Sequence, residues 1–167
     1  MKKILLNSLK KGILTRPVEQ KNMETIVAEL KNLIDKKFKR SFHIREVDTG
    51  SCGACDSEII AATNPIYDIQ RFGIDFVASP RHADALLVTG ALSKNMEIAL
   101  KKTYEAMPGP KYVITAGDCA FNGGVFKDSY YINSAVKDIV PVTYHIPGCP
   151  PKPIEIIKAV LSLIKSI

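Results

Sequence analysis

The sequence predicts a doubly wound α/β domain, in which helices cover both faces of a mostly parallel sheet. Two observations predict this class. Short apolar segments alternate along the chain with segments whose apolar residues recur at helical spacing. One short segment, ADALLVTG, is nearly all apolar, which is typical of a strand buried on both faces. Such an alternation implies parallel strands joined by crossover helices, and 167 residues suffice for one domain with one core.

The first 40 residues are predicted to be helical. Residues 1–14 combine apolar residues with four lysines in a short amphipathic segment that ends before Pro17. A basic amphipathic segment either lies against a membrane or a membrane subunit, or is solvated, and the residues alone leave both readings open. The apolar residues that follow recur at steps of three and four, as in a helix: Met23, Ile26, Val27, Leu30, Leu33, Ile34 and Phe38.

From residue 41 onward the pattern predicts five strands and three helices. The first strand, SFHIREV, places Phe42 and Ile44 on one face, with Glu46 next in that alternation. The helix DSEIIAAT follows it and ends at Asn64-Pro65. The strands IDFVAS and ADALLVTG come next, followed by a helix that is capped by Ser93 and carries Met96, Ala99, Leu100 and Thr103. The strands KYVITAG and VTYHIPG follow that helix. The C-terminal helix has Ile154, Ile157, Val160, Leu161 and Ile164 on one face.

Composition and charge exclude several classes of protein. The formal charge of +6 comes from 23 basic and 17 acidic residues. The basic residues gather in the first 40 positions without aromatic-interleaved or zinc-finger patterns, so we expect no nucleic-acid partner. No apolar run approaches the ~20 residues that cross a bilayer. The basic N-terminus lacks a small-residue cleavage site, so we expect no export and a reducing, cytoplasmic setting, where cysteines serve metals or redox chemistry more often than disulfides.

Each of the four cysteines follows a predicted strand. Cys52 and Cys55, in GSCGACDSE, follow the first strand, whereas Cys119 follows KYVITAG and Cys149 lies at the end of VTYHIPG. The carboxyl ends of parallel strands share one edge of the sheet, where ligands bind, so we expect the four thiols to meet there. Glycines and prolines in these loops let the backbone approach a bulky group and point N–H groups at sulfur.

Three kinds of site suit four such thiols. Structural zinc takes four cysteines, but it usually binds two closely spaced pairs, and here the second pair is split along the chain. A redox disulfide of Cys52 and Cys55 would leave Cys119 and Cys149 without a role. A [4Fe–4S] cluster takes four thiolates around an object wider than one ion. The residues favour the cluster and leave zinc and the dithiol open. A stand-alone flavin or thiol reductase would need a phosphate-cradling glycine loop after the first strand, where two thiols stand instead.

Four long blocks of sequence carry a resemblance to a known family. They are GSCGACDSE, NPIYDIQRFGIDFVASPRHADALLVTG, MPGPKYVITAGDCAFNGGVF and PVTYHIPGCPPKP. Over about residues 42–165 the chain resembles the small iron–sulfur subunit shared by membrane-bound energy-converting [NiFe] hydrogenases and respiratory NADH:quinone oxidoreductases. The resemblance implies a flavodoxin-like fold and one [4Fe–4S] cluster held by Cys52, Cys55, Cys119 and Cys149. It also implies an electron relay, not catalytic alone, within an oxidoreductase complex. The implied partners are a large catalytic subunit, a ferredoxin-like iron–sulfur subunit and membrane-embedded ion-translocating subunits.

The spacing of the first two cysteines resembles the hydrogenase branch of that family. The quinone-reductase branch typically has two adjacent cysteines, whereas Gly53 and Ala54 separate Cys52 from Cys55 here. The resemblance therefore implies a [NiFe] partner and a peripheral position on the cytoplasmic face of the cell membrane. It favours docking for the N-terminus, so we predict a helical docking segment over residues 1–40 and a [4Fe–4S]-binding α/β domain over 41–167. The alternatives are the same relay in a quinone- or sulfur-reducing ion-pumping complex and, from another class, a zinc-stabilised binding module.

Few other residues are candidates for function. Glu58 lies one helical turn after Cys55 and is a candidate proton relay at the subunit interface, with a capping or solvated carboxylate as the alternative. Asp118, beside Cys119, is interpreted as a turn residue in preference to a group that tunes the site. His82 and His145 are interpreted as structural, because four thiolates already fill the site.

Overall fold

The central sheet consists of five parallel strands. This computed structural model describes residues 20–167 and the side chains of 24–132 and 135–167. The strands of the central sheet are β1 (Phe42–Asp48), β2 (Ile74–Phe76), β3 (Ala85–Thr89), β5 (Tyr112–Ala116) and β7 (Tyr144–Ile146). A separate antiparallel pair is formed by β4 (Leu92–Ser93) and β6 (Ile132–Ser134). The strand order β2-β1-β3-β5-β7 is that of flavodoxin. The doubly wound, flavodoxin-like prediction is therefore confirmed. The amphipathic segment predicted over residues 1–14 lies outside the described residues.

Five helices accompany the strands among the described residues. They are α1 (Gln20–Lys37), α2 (Ala54–Ala62), α3 (Met96–Ala106), α4 (Asp118–Asn122) and α5 (Pro153–Ser166). Helices α1, α2 and α5 contribute to the hydrophobic core on one face of the sheet, and α3 and α4 to the core on the other. Within β3, Leu87 belongs to the first core, whereas Leu86 and Val88 belong to the second. Both faces of the sheet are thus covered, as the apolar ADALLVTG segment predicts.

Register brings the carboxyl ends of the strands to one edge. Asp48 at the end of β1 pairs with Thr89 at the end of β3. Ala116 at the end of β5 pairs with Ile146 at the end of β7. The loops that follow β1, β5 and β7 carry all four cysteines, so they leave the sheet on the same side.

Helix α1 packs its apolar face into the same core as the sheet. Val27, Leu30 and Ile34 are all less than 5% exposed and belong to the core cluster that contains the buried face of α5. The Lys37 ammonium donates a 2.6 Å hydrogen bond to the carbonyl of Ile164, which lies in the last turn of α5. The helix predicted from apolar spacing is confirmed over Gln20–Lys37, and the division of the chain at residue 40 stays a prediction.

Two local predictions differ from the structure. Ser93 does not cap α3, because it lies in β4, where its N–H bonds to the carbonyl of Thr49; Asn95 precedes the helix instead and makes no side-chain cap. Helix α2 begins at Ala54, two residues earlier than predicted, because Gly53 adopts a left-handed φ of 81° that lets the turn close there. Within residues 20–167, none of the helices is both long and apolar enough to span a bilayer.

Candidate functional site

All four cysteines line one recess at the carboxyl edge of the sheet. Cys55 is buried, Cys119 is half-buried, and Cys52 and Cys149 are exposed. The walls of the recess are formed by Ser51, Cys52, Ala54, Cys55, Gly90, Asp118, Cys119, Phe126, Gly148, Cys149 and Pro150. The convergence predicted from strand ends thus occurs, with thiols contributed by three separate loops.

Side-chain hydrogen bonds hold the turn that carries Cys52 and Cys55. The Asp48 carboxylate accepts the backbone N–H groups of Gly50 and Ser51, each at 2.8 Å. The Ser51 hydroxyl oxygen lies 2.7 Å from a carboxylate oxygen of Asp56 and accepts the N–H of Gly53 at 3.0 Å. The turn is therefore fixed by bonds among residues at most five positions apart.

The carboxyl groups of Glu46 and Asp56 form a pair next to this turn. Burial alone raises the pKa of Asp56, but hydrogen bonds from Ser51, Thr89 and Glu46 outweigh it and leave that pKa below its usual value. Burial, followed by the hydrogen bond to Asp56, raises the pKa of Glu46 to about 7. Sequence reasoning missed this pair. The available signal was the position of Glu46, an acidic residue on the inward face of β1.

The loops of Cys119 and Cys149 are joined by backbone and short-range polar contacts. The N–H of Gly117 donates to the carbonyl of Ile146 at 2.9 Å. The N–H of Asp118 donates to the carbonyl of Gly148 at 2.9 Å, and the Asp118 carboxylate accepts the Gly148 N–H at 3.1 Å. Two loops 30 residues apart in sequence are thereby held side by side.

Glycines let the backbone approach the sulfurs. A Cβ at Gly117, where φ is +86°, would lie 2.7 Å from Cys55 Sγ. A Cβ at Gly124, where φ is +50°, would lie 2.7 Å from Cys119 Sγ. The backbone of Val125 acts to lower the pKa of Cys119. Neither glycine position would accept a larger residue without displacing a thiol.

The two less exposed thiols of the recess have raised pKa values. Burial raises the pKa of Cys55 to about 11, and the negative charges of Asp56 and of the other three cysteines act in the same direction. Burial also raises the pKa of Cys119, against the effect of the Val125 backbone. Among the side chains that the structure describes, no three of His, Cys, Asp or Glu are arranged to hold a single metal ion.

The remaining candidate residues lie around the recess. Glu58 is half-buried on α2 and does not line it, so its role as a proton relay stays a prediction. Asp118 is predicted to act only as a turn residue, but it lines the recess and bridges the loops of Cys119 and Cys149. The His145 ring stacks on Phe121, with the ring centroids 4.1 Å apart, and burial lowers its pKa. His82 is exposed, and its carbonyl lies 3.1 Å from His43 Nδ1.

Comparison with known proteins gives matches to subunits of oxidoreductase complexes. Residues 52–163 match the family described as the 20 Kd subunit of NADH ubiquinone oxidoreductase. Formate hydrogenlyase subunit 7 of Escherichia coli is 44% identical over 127 residues, which cover 76% of this chain and only half of that protein. The probable membrane-bound hydrogenase subunit mbhJ of Pyrococcus furiosus is 42% identical over 154 residues, 92% of this chain and 90% of that protein. A chain of the membrane-bound sulfane sulfur reductase, an archaeal respiratory membrane complex, superposes with a TM-score of 0.67 at 33% identity over 80% of this chain and 76% of that one.

Proposed function

Because the chain belongs to the family of the 20 kDa subunit of NADH ubiquinone oxidoreductase, we propose that it is the electron-transfer subunit of a membrane-bound multisubunit oxidoreductase. In this proposal Cys52, Cys55, Cys119 and Cys149 bind one [4Fe–4S] cluster. The observation that carries the proposal is the convergence of all four thiols, from three loops, on one recess at the edge of the sheet.

The residues around the recess fit a cluster of this kind. Four thiols are the usual ligand set for [4Fe–4S], and backbone N–H groups near the sulfurs are one means of tuning it. Gly117 and Gly124 leave space beside two of the sulfurs, and the backbone of Val125 acts to lower the pKa of Cys119. The thiols come from three separate loops, which suits an object wider than one ion.

The chain's own residues would place and insulate the bound group. When bound, a [4Fe–4S] cluster takes up and releases one electron at a time. The buried Cys55 and half-buried Cys119 would hold it on the protein side. Cys52 and Cys149 are exposed, so the open side of the recess faces outward, where a catalytic subunit would cover it. In this proposal catalysis takes place in the partner subunit.

We assign the complex to the hydrogenase branch. The match to mbhJ spans nine-tenths of both chains, and Cys52 and Cys55 have the spaced arrangement of hydrogenase small subunits. In that case the large subunit contains a [NiFe] site, a ferredoxin-like subunit carries further clusters, and membrane subunits translocate ions. The chain would lie on the cytoplasmic face of the membrane as a peripheral subunit.

A second candidate keeps the relay and changes the terminal reaction. The similarity to a chain of the sulfane sulfur reductase complex favours a sulfur acceptor, and the family description favours a quinone. The co-purifying large subunit separates these cases. Two separated C-x-x-C pairs in its sequence would support a nickel site, and their absence would support a quinone or sulfur acceptor.

Metal analysis of the complex, purified without oxygen, tests the cluster. We expect about four irons and four acid-labile sulfides per chain of this subunit. Cys149→Ser should lose or convert the cluster and abolish electron transfer through the complex, because one of four ligands is removed. Lys152→Ser, on the same exposed loop, is the matched control and should retain both iron and activity.

Two outcomes would contradict the assignment. One zinc and no sulfide per chain would support the zinc-stabilised binding module instead. A Cys149→Ser complex with full iron content and full activity would remove Cys149 from the ligand set.

A further inference from the structure

The two cysteines that are distant in sequence are linked by one side chain. Asp118 directly precedes Cys119, and Gly148 directly precedes Cys149. Asp118 donates its N–H to the Gly148 carbonyl at 2.9 Å and accepts the Gly148 N–H at Oδ1 at 3.1 Å. The two bonds form a closed ring of contacts between the residues next to two sulfurs. A change in this bridge would therefore affect the backbone directly beside both cysteines.

The bridge requires glycine at position 148. Its φ is +137°, and a Cβ there would lie 2.9 Å from backbone atoms of Pro151. Only glycine reaches this conformation without strain, and in it the N–H points at the Asp118 carboxylate. Because both bonds between Asp118 and Gly148 are direct, they fix the distance between the two loops.

A ring stack makes a second tie between the same segments. Phe121, two residues after Cys119, stacks on His145, four residues before Cys149, with an interplanar angle of 18°. His145 Nδ1 lies 3.0 Å from the Thr115 hydroxyl, which sets the ring orientation. His145 Nε2 is 3.9 Å from Asp118 Oδ1, too far for a hydrogen bond. The stack thus holds α4 against the end of β7 by packing.

We propose that Asp118 is a positioning residue that sets the spacing of the Cys119 and Cys149 sulfurs for a shared metal group, with the Phe121–His145 stack as a second tie. The proposal rests on the proposed function, since it concerns the group that these cysteines bind. It extends that function by naming the contact that forms the long-range half of the site. The acceptor oxygen of Asp118, rather than its charge, is the feature that holds the loops.

The test compares Asp118→Asn with Asp118→Ala in the complete complex, purified without oxygen. Asparagine retains an oxygen that accepts the Gly148 N–H, whereas alanine does not. The readouts are the rate of iron loss to a chelator and the electron paramagnetic resonance spectrum of the reduced complex. Asp138→Ala is the matched control, because Asp138 accepts the N–H of Ala135 at 3.1 Å in an exposed turn away from the cysteines.

We expect Asp118→Ala to lose iron about 10-fold faster than wild type, the lower end of the effect of outer-shell partners on metal affinity. Its resonance spectrum should broaden or shift, whereas Asp118→Asn and Asp138→Ala should match wild type in both readouts. Wild-type behaviour of Asp118→Ala would overturn the proposal. So would equal losses in Asp118→Asn and Asp118→Ala, since charge and not the acceptor would then be responsible.

Failure of assembly and absence of the cluster are separate outcomes of this test. If Asp118→Ala does not assemble, Asp118→Asn decides: wild-type retention and spectrum support the bridge, and loss of iron from an assembled Asp118→Asn complex overturns it. A wild-type complex without iron and sulfide on this subunit would overturn the proposed function and the bridge together. A loaded wild type with an unaffected Asp118→Ala would overturn the bridge alone.

Discussion

The two halves of the recess are built by different means. The Cys52–Cys55 half is local: Asp48, Ser51 and Asp56 hold one turn through side-chain hydrogen bonds over at most five residues. The Cys119–Cys149 half is assembled from two strands, and Asp118 bridges loops 30 residues apart in sequence. The first half depends on polar side chains in the turn, whereas the second depends on the sheet register and on glycines that admit close backbone contact.

The largest expected effect comes from adding one carbon where the halves meet. Gly117→Ala places a Cβ 2.7 Å from Cys55 Sγ at a φ of +86°. Strain and overpacking together should destabilise the site by about 2–5 kcal/mol. The complex should lose most of its iron, as measured by metal analysis after purification without oxygen.

Gly53→Ala is the matched control for that change. Gly53 has a similar φ of +81°, but no heavy atom lies within 4 Å of the added Cβ. Backbone strain alone should cost about 1–2 kcal/mol, and the iron content should stay near that of wild type. Equal iron loss in both variants would mean that conformation, and not the approach of residue 117 to a thiol, limits the site.

A smaller effect is expected in the local half. Ser51→Ala removes the hydroxyl that contacts Asp56 and accepts the Gly53 N–H. Loss of a hydrogen bond to a charged group should lower local stability by about 1.5–3 kcal/mol, measured by hydrogen exchange of amides in the turn. Ser57→Ala, which removes an exposed 2.8 Å bond to the Gly53 carbonyl, is the control. A Ser57→Ala effect as large as that of Ser51→Ala would argue against the Asp56–Ser51 contact.

The smallest effect depends on pH. The pKa of Glu46 is raised to about 7 from 4.5, so the folded chain holds a proton that the unfolded chain releases. Stability from this proton is complete below about pH 4.5 and is lost as the pH rises through about 7. Glu46→Gln should therefore gain stability relative to wild type between these values, by about 1–2 kcal/mol after allowance for partial solvent screening.

Hydrogen exchange of β1 and α2 amides between pH 5.5 and 8 measures that gain. Glu105→Gln, at an exposed position of α3, controls for the substitution itself. A constant difference between Glu46→Gln and wild type at every pH would show that Glu46 holds no such proton.

Sequence reasoning placed the cysteines correctly because each one follows a strand, and parallel strands end at one edge. It also found α1 and the C-terminal helix, whose apolar residues recur over several turns. It missed the Glu46–Asp56 pair, because strand alternation shows that Glu46 points inward but does not identify what it contacts. It missed the Asp118–Gly148 bridge, which depends on the register of β5 against β7. The local sequence predicts a helix cap at Ser93, because it does not show that this residue pairs within a buried strand.

A map of the complete complex, prepared without oxygen, would show whether the four sulfurs hold one inorganic cluster. Anomalous scattering recorded at the iron edge would locate every iron relative to the four Sγ atoms. We expect one compact group of about four irons bonded to Cys52, Cys55, Cys119 and Cys149. A single ion, or a group from which Cys119 or Cys149 points away, would contradict it.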